Sequence, residues 1–273
     1  MENFNELEEK TSSGKKIGMY VYILPNLMTI ANLFCGFYSI LQTFAGEYKT
    51  AAIAIVIAAI FDQLDGRLAR LTRATSQFGA ELDSLCDAVS FGVAPALLVY
   101  QWALLPFGRL GMMASFLFAA CGVLRLARFN VQVGVVEKNY FQGLPIPMAA
   151  GIVASAFLAF DDMAWEAKAN KGLLFMMILL ALVMVSNFRY RSFKDLDLKQ
   201  RLPFRYLILG LIVLFLVALR PEVMLFVLFF GYASTGALFG IMRLGKKHKQ
   251  IPASVYAPAN VNEKDLQEEH EDE

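Results

Sequence analysis

Four aspartates lie on either side of a short polar segment. Asp62 and Asp65 are three residues apart, and Asp83 and Asp87 are four residues apart. Either spacing places two side chains on one face of a helix, so each pair predicts a helix that presents two carboxylates together. Clustered carboxylates repel one another unless protons or cations neutralise them. Hard divalent cations such as Mg2+ or Mn2+ prefer oxygen ligands and also bind phosphates, so the spacing predicts a metal site for a phosphate-containing substrate.

Small and basic residues accompany the aspartates. Gly66 directly follows the first pair and leaves room for a phosphate to approach the backbone. Arg70 lies one turn further, where its guanidinium can bind a phosphate through two hydrogen bonds. Gly79 allows a similar close approach at the entry to the helix that carries the second pair. These residues favour a site that binds phosphate.

Two other interpretations of the aspartates stay open on the residues alone. The carboxylates could form ordinary ion pairs at helix ends with Arg67, Arg70 and Arg73. That interpretation suits any single aspartate better than it suits all four at this spacing. The carboxylates could also relay protons in a transporter. A transporter explains the carboxylates but not the placement of Gly66 and Arg70.

The aspartates must be positioned by a strongly apolar chain. Of its 273 residues, 57% are hydrophobic and 18% are charged, and the mean hydropathy is +0.50. These values are typical of a membrane protein rather than a soluble domain. Because a membrane helix needs roughly 20 mostly apolar residues, the sequence predicts an all-α bundle of about eight transmembrane helices. They are predicted near residues 20–43, 47–65, 82–105, 108–126, 145–161, 172–188, 204–219 and 222–242.

Lysine and arginine are distributed unevenly between the two sides of this bundle. The termini and the even-numbered loops hold 20 of the 25 basic residues. The other five are Lys49, Arg109, Lys168, Lys171 and Arg220. Cytoplasmic loops carry an excess of Lys and Arg, so both termini and the aspartates are expected on the cytoplasmic side of a multi-pass protein of the cell (inner) membrane. We expect a cytoplasmic segment at 1–19, a membrane domain at 20–243 and a disordered cytoplasmic tail at 244–273.

Cysteine and histidine chemistry is not indicated. Cys35, Cys86 and Cys121 lie in or beside apolar segments without the spacing of a disulfide framework or a zinc site. The two histidines, His248 and His270, lie in the polar C-terminal region. The net charge of +1 gives no indication of a nucleic-acid partner. Carboxylates are therefore the groups expected to carry any chemistry.

The aspartate segment resembles a known signature. It reads Asp62, two residues, Asp65-Gly66, two residues, Ala69-Arg70, eight residues, Gly79, three residues, Asp83, three residues, Asp87. These eight fixed residues in a 26-residue window match, without departure, the signature of the CDP-alcohol phosphatidyltransferase family. Stretches at 25–37, 91–96, 125–130 and 143–151 are similar to the bacterial phosphatidylserine synthase branch of that family.

The resemblance implies an activity and a set of site residues. It implies two divalent ions, Mg2+ or Mn2+, held by Asp62, Asp65, Asp83 and Asp87, with Asp87 also the proton acceptor. It implies that the CDP-lipid contacts residues of the signature and of a short motif on the first helix. These residues are Pro25, Asn26, Thr29, Gly66, Arg70 and Ser76. Asn26 fits a helix cap equally well.

The substrates implied by this branch are CDP-diacylglycerol and L-serine, which give phosphatidylserine and CMP, and the family also suggests a homodimer. A related transferase that uses glycerol 3-phosphate, inositol or choline stays open. A zwitterionic amino acid needs a cation for its carboxylate, and Arg125 and Arg128 at the cytoplasmic end of the fourth predicted helix are candidates, with Asn130 a weaker one. The excess of basic residues in cytoplasmic loops explains both arginines equally well.

Overall fold

The computed structural model describes residues 24–71, 76–132, 140–186, 189–191, 210–211 and 220–244. The expected segment at 1–19, most of the predicted helix at 204–219 and the tail after Leu244 lie outside these residues. The chain over Met1–Gly240 forms one compact unit, and a second unit begins at Ile241.

The described chain is almost entirely helical. Its helices are α1 Leu24–Phe44, α2 Tyr48–Leu71, α3 Gln77–Asp87, α4 Ala94–Val99, α5 Arg109–Gln132, α6 Ile146–Asp162, α7 Lys171–Val185 and α8 Pro221–Leu244. Two π-helical stretches, Ala88–Val93 and Tyr100–Leu104, and a 3-10 turn at Leu105–Phe107 continue α3 and α4 into one rod that spans Gln77–Phe107. The predicted all-α class is confirmed for most of the described residues.

Two short strands depart from the all-α prediction. Strand β1, Tyr140–Gln142, pairs antiparallel with β2, Arg189–Arg191. Gly143 follows β1 with a φ of +77°, and a side chain at this position would overlap the carbonyl oxygen of Met184 near the end of α7. Glycine therefore allows the chain to turn from β1 into α6 against α7.

Three helices are long and apolar enough to cross a membrane. Within the part of the chain that the structure describes, they are Leu24–Phe44, Gln77–Phe107 and Arg109–Val131, and two shorter apolar helices cover Lys171–Val185 and Pro221–Gly236. The predicted count of eight spans is not confirmed. The predicted spans at 47–65 and 145–161 do form helices, but α6 has 17 residues, and α2 carries charged residues in its second half.

Polar side chains define where two of the helices begin. Ser76 precedes α3 in an extended conformation, and its hydroxyl accepts a hydrogen bond from the Gly79 backbone N–H at 3.0 Å. Asn170 caps α7 in the same way, because its side-chain oxygen accepts from the backbone N–H groups of Gly172 and Leu173. Such caps satisfy N–H groups that have no partner inside the helix.

Helix α6 lies at the centre of the bundle, because all its residues from Ala149 to Ala159 are buried. Small side chains let neighbouring helices approach closely. A side chain at Gly122 of α5 would overlap Ile146 of α6, and one at Gly151 of α6 would lie 3.1 Å from the Phe229 ring of α8. The core therefore depends on the absence of side chains at particular contacts.

One end of the bundle brings together the helix ends that carry the predicted site residues. Helices α1 and α3 begin at this end, and α2 and α5 end there, as hydrogen bonds between their side chains indicate. The opposite end holds two ion pairs, Lys49–Asp161 at 3.1 Å and Arg220–Asp162 at 3.0 Å. The polar groups of the two ends are thus separated by the apolar core.

Candidate active site

Three of the four aspartates converge. Each of Asp62, Asp83 and Asp87 offers a carboxylate oxygen, and the three oxygens lie within 4.8 Å of one another. Asp62 lies on α2, and Asp83 and Asp87 lie one turn apart on α3. The helical spacing predicted from the sequence therefore produces a shared carboxylate cluster between two helices.

The donor set of this cluster fits a hard divalent ion. All three contributed atoms are carboxylate oxygens, which Mg2+ and Mn2+ prefer. One oxygen of Asp83, Oδ1, is buried and has no hydrogen-bond partner within the described residues. An acceptor in that position costs free energy unless a cation or a donor approaches it. A metal ion would satisfy this oxygen and reduce the repulsion among the three carboxylates.

The fourth aspartate, Asp65, is buried next to the cluster and is held by the first helix. The hydroxyl of Thr29 on α1 donates to Asp65 Oδ2 at 3.0 Å, and it also lies 3.2 Å from the Pro25 carbonyl oxygen. A hydroxyl has a single proton, so it donates to one of these acceptors at a time. Asp65 and Asp83 lie close enough for their charges to interact. Asp65 thus contributes charge to the site, and Thr29 orients it.

A residue that the sequence analysis missed contacts Asp87. Asn32 of α1 is fully buried, and its Nδ2 donates to Asp87 Oδ1 at 3.0 Å. Its backbone carbonyl accepts from the Ser90 hydroxyl at 3.0 Å. The signal was present in the sequence, since Thr29 and Asn32 are polar residues three apart in an apolar helix, and polar groups inside membrane helices usually have a function.

The start of α1 lies against the start of α3. A side chain at Gly79 would lie 3.3 Å from the side-chain oxygen of Asn26 and 3.1 Å from the hydroxyl of Ser76. Pro25 is buried beside them. The structure therefore brings together Pro25, Asn26, Ser76 and Gly79, which the sequence analysis had drawn from two separate motifs.

The segment after Asp65 continues as helix. Gly66 and the backbone of Arg70 belong to α2, while the side chain of Arg70 lies outside the described part of the chain, as does all of Arg73. Among the described residues, no ion pair joins a site aspartate to Arg67. The interpretation of the aspartates as partners of Arg67 therefore receives no support.

Among the described residues, Arg125 is a cation that lies near the cluster. Arg125 lies on α5 and is only 9% exposed. Its guanidinium lies close enough to Asp87 for their charges to interact. Its Nε is buried and has no hydrogen-bond partner among the described residues. A buried guanidinium with an unused donor can bind an anionic group.

Arg128 and Asn130, the other two candidates for binding the serine carboxylate, contact other groups of the protein. Arg128 donates from Nη1 to the carbonyl oxygen of Val185 at 3.2 Å, at the last residue of α7. A cation there complements the partial negative charge of the helix end. Asn130 donates from Nδ2 to the Ser84 hydroxyl at 3.0 Å and joins α5 to α3. Arg125 is therefore the best placed of the three for a substrate.

The family of the chain is shown by its similarity to known proteins. The family model described as CDP-alcohol phosphatidyltransferase matches residues 22–188. The chain belongs to the CDP-alcohol phosphatidyltransferase family. The matched range contains all four aspartates, the start of α1, and both candidate arginines on α5.

Members of this transferase family with curated names resemble the chain closely. A CDP-diacylglycerol--serine O-phosphatidyltransferase of Helicobacter pylori is 42% identical over 74% of this chain and 84% of its own length. An archaetidylserine synthase of Methanothermobacter thermautotrophicus is 39% identical over 64% of this chain and 72% of its own. The CDP-diacylglycerol--serine O-phosphatidyltransferase of Saccharomyces cerevisiae is 38% identical over 55% of this chain.

Proposed function

We propose that the chain transfers the phosphatidyl group of CDP-diacylglycerol to L-serine, giving phosphatidylserine and CMP. The observation that carries this proposal is the convergence of Asp62, Asp83 and Asp87 within 4.8 Å, at the positions of the family signature. The serine acceptor rests on the relatives, whose printed names specify serine, and on the buried Arg125 beside Asp87.

The reaction exchanges one bond to phosphorus for another. The hydroxyl oxygen of serine forms a bond to the lipid-side phosphorus of the diphosphate, and the bond from that phosphorus to the bridging oxygen breaks. The bridging oxygen leaves with CMP. The hydroxyl proton passes to a carboxylate oxygen of Asp87, which lies in the cluster.

The aspartates supply the ligands for divalent metal in this proposal. Asp62, Asp65, Asp83 and Asp87 would hold two Mg2+ or Mn2+ ions, with Asp65 oriented by Thr29. When bound, the metal would neutralise the diphosphate and stabilise the oxygens that attack and leave. Asp87 then has two tasks, as ligand and as proton acceptor, and a carboxylate can perform both because it has two oxygens.

The remaining predicted residues would bind the CDP-lipid. Pro25, Asn26 and Ser76 lie together where α1 and α3 begin, and we assign them to the cytidine end of the substrate. Gly66 would let the diphosphate approach α2, and Arg70 would bind its oxygens. Both assignments rest on the resemblance of these residues to the family signature.

The serine carboxylate would bind Arg125. Burial strengthens an ion pair with a carboxylate because little water screens it, provided that hydrogen bonds form as well. The Nε–H group of Arg125 is buried and has no hydrogen-bond partner among the described residues, so it is available to donate such a bond. Arg128 contacts Val185 instead, so we assign it to holding the end of α7.

The proposal includes an orientation in the membrane. The site lies where α2 and α5 end, next to loops rich in Lys and Arg, so it would face the cytoplasm in a multi-pass protein of the cell membrane. The membrane domain would cover residues 20–243 with about eight spans. This side of the membrane gives the site access to soluble serine and to lipid headgroups, and a homodimer would be the assembly that the family suggests.

The test is CMP release by purified full-length protein in detergent. CDP-diacylglycerol and Mn2+ or Mg2+ are supplied with L-serine, glycerol 3-phosphate, inositol or choline, and Asp87→Asn is assayed alongside. We expect release with serine only, lost on chelation with EDTA and lost in Asp87→Asn. Glu81→Gln is the matched control, because Glu81 is an exposed carboxylate on α3 that lies outside the converging three.

Each alternative has its own outcome. Release of CMP with another acceptor would leave the proposed metal site standing but would show that the acceptor is not serine. No release with any acceptor from folded, metal-loaded protein would contradict the enzyme proposal, and flux of a solute across vesicles without chemical change would then indicate a transporter. Unchanged activity in Asp87→Asn would exclude Asp87 as the proton acceptor.

A further inference from the structure

Asn32 is a buried polar side chain that the reaction above does not use. It lies in the middle of the apolar helix α1 and is fully buried. Its side-chain oxygen is also buried and has no hydrogen-bond partner in the part of the chain that the structure describes. An amide oxygen left in this state lowers stability, because the hydrogen bonds it makes to water in the unfolded chain are lost and not replaced. A leucine of nearly the same size would avoid that cost, so packing alone does not explain an asparagine here.

The contact that Asn32 does make is with the central carboxylate of the site. Its Nδ2 lies 3.0 Å from Asp87 Oδ1. An ionised carboxylate only accepts hydrogen bonds, so the nitrogen of the amide, and not its oxygen, must face Asp87. This bond restrains the rotation of the Asp87 carboxylate and occupies one direction of approach to Oδ1.

Asn32 is itself fixed by a second contact. The Ser90 hydroxyl donates to the backbone carbonyl of Asn32 at 3.0 Å. Ser90 lies in the π-helical stretch that directly follows Asp87. Gly36, one turn after Asn32, lies so close to Ser90 that any side chain there would overlap the Ser90 backbone. Two contacts with Ser90 therefore hold α1 against the segment that directly follows Asp87.

We propose that Asn32 is the positioning residue for Asp87, holding its carboxylate in the orientation needed to bind metal and to accept the proton of the alcohol. This inference rests on the proposed metal-dependent transfer. Groups that orient a metal ligand typically change metal affinity or activity about 10- to 100-fold when they are removed. Asn32 need not touch any substrate, because it acts through Asp87.

A double-mutant cycle on Mn2+ affinity tests this role. Mn2+ binding to full-length protein in detergent is measured by the loss of the free-ion EPR signal for wild type, Asn32→Leu, Asp87→Asn and the double variant. Asn32→Leu is expected to lower Mn2+ affinity about 10- to 100-fold in the wild-type background. In the Asp87→Asn background the same change should alter the affinity no more than about twofold, the scatter expected of uncoupled sites.

Two further variants separate positioning from general stability. Ser39→Ala removes another buried hydrogen bond of α1, from the Ser39 hydroxyl to the Ala51 carbonyl oxygen, far along the helix from the aspartates. It is expected to lower thermal stability but leave Mn2+ affinity unchanged. Asn32→Ala replaces Asn32→Leu in the same cycle if the leucine variant does not fold.

The outcomes distinguish this inference from the proposed function. The positioning role would be overturned if the Asn32 change lowered Mn2+ affinity by the same factor with and without Asp87. It would also be overturned if the Asn32 variants bound Mn2+ as tightly as wild type. If wild type binds Mn2+ but releases no CMP with serine, the proposed acceptor fails while the cycle still tests Asn32. If wild type binds no Mn2+, the metal site and the role of Asn32 fail together.

Discussion

The contact between Gly36 and Ser90 sets the distance between the first helix and the helix that carries Asp87. A Cβ atom at Gly36 would lie 2.6 Å from Ser90 Cα and would also overlap the Ser90 hydroxyl. Ordinary van der Waals contacts begin at 3.4 Å. Gly36→Ala therefore requires α1 and Ser90 to separate by roughly 0.8 Å, because a backbone atom cannot rotate out of the way as a flexible side chain can.

That separation is enough to break the hydrogen bond to Asp87. If α1 moves as a rigid helix, the 3.0 Å distance from Asn32 Nδ2 to Asp87 Oδ1 lengthens to nearly 3.8 Å, beyond the roughly 3.2 Å limit of good N–H···O bonds. Loss of a hydrogen bond to a charged group costs about 1.5–3 kcal/mol. Overpacking adds about 1–3 kcal/mol. We expect Gly36→Ala to lower Tm and to lower kcat for CMP release at least tenfold.

The matched control is Gly231→Ala in α8, where a Cβ atom would meet no described residue within 4 Å. Alanine favours a helix over glycine by up to about 1 kcal/mol, so this variant should be at least as stable as wild type. Thermal unfolding and serine-dependent CMP release are measured for both variants in the same detergent. Equal Tm and equal kcat in the two variants would refute the argument from close packing.

Other predictions concern the arginines and the distant ion pairs. Arg125→Gln is expected to raise KM for serine with little change in KM for CDP-diacylglycerol, because its buried guanidinium lies beside Asp87; similar increases in both would contradict its assignment to the acceptor. Arg128→Gln should lower Tm and leave KM for serine unchanged, because the side chain holds the Val185 carbonyl oxygen. Lys49→Gln should change neither Tm nor activity, since its pair with Asp161 is exposed and screened by water; a clear loss of activity would show that the distant end affects the site.

Much of the fold followed from local patterns. The helices at 24–44, 48–71, 146–162 and 171–185 lie close to the predicted apolar segments, because a long run of mostly apolar residues favours a helix in apolar surroundings. The predicted second helix ended at residue 65, but α2 continues to Leu71. Charged residues lower hydropathy without ending a helix, so hydropathy alone placed that boundary too early.

The pairing of β1 with β2 could not be predicted. These strands have three residues each and are separated by more than 40 residues, and so short a segment carries no periodic pattern that differs from a loop. They pair only because α6 and α7, which lie between them in the sequence, bring the two strands side by side.

The amino-acid sequence was sufficient to predict a carboxylate site for metal and phosphate. The types and spacing of the four aspartates, with Gly66 and Arg70, indicated a metal site on two helices, since helical spacing converts sequence separation directly into position on a face. Three of the carboxylates do converge.

The groups that surround the aspartates became visible only in the folded chain. Thr29 holds Asp65, Asn32 holds Asp87, and Arg125 comes close to Asp87, although these residues are 36, 55 and 38 positions away from their partners in the chain. Such contacts depend on how closely the helices approach and at what register, which small residues such as Gly36 set. The physical reason is that helical periodicity defines which face a side chain occupies, whereas packing between helices defines which residue that face meets.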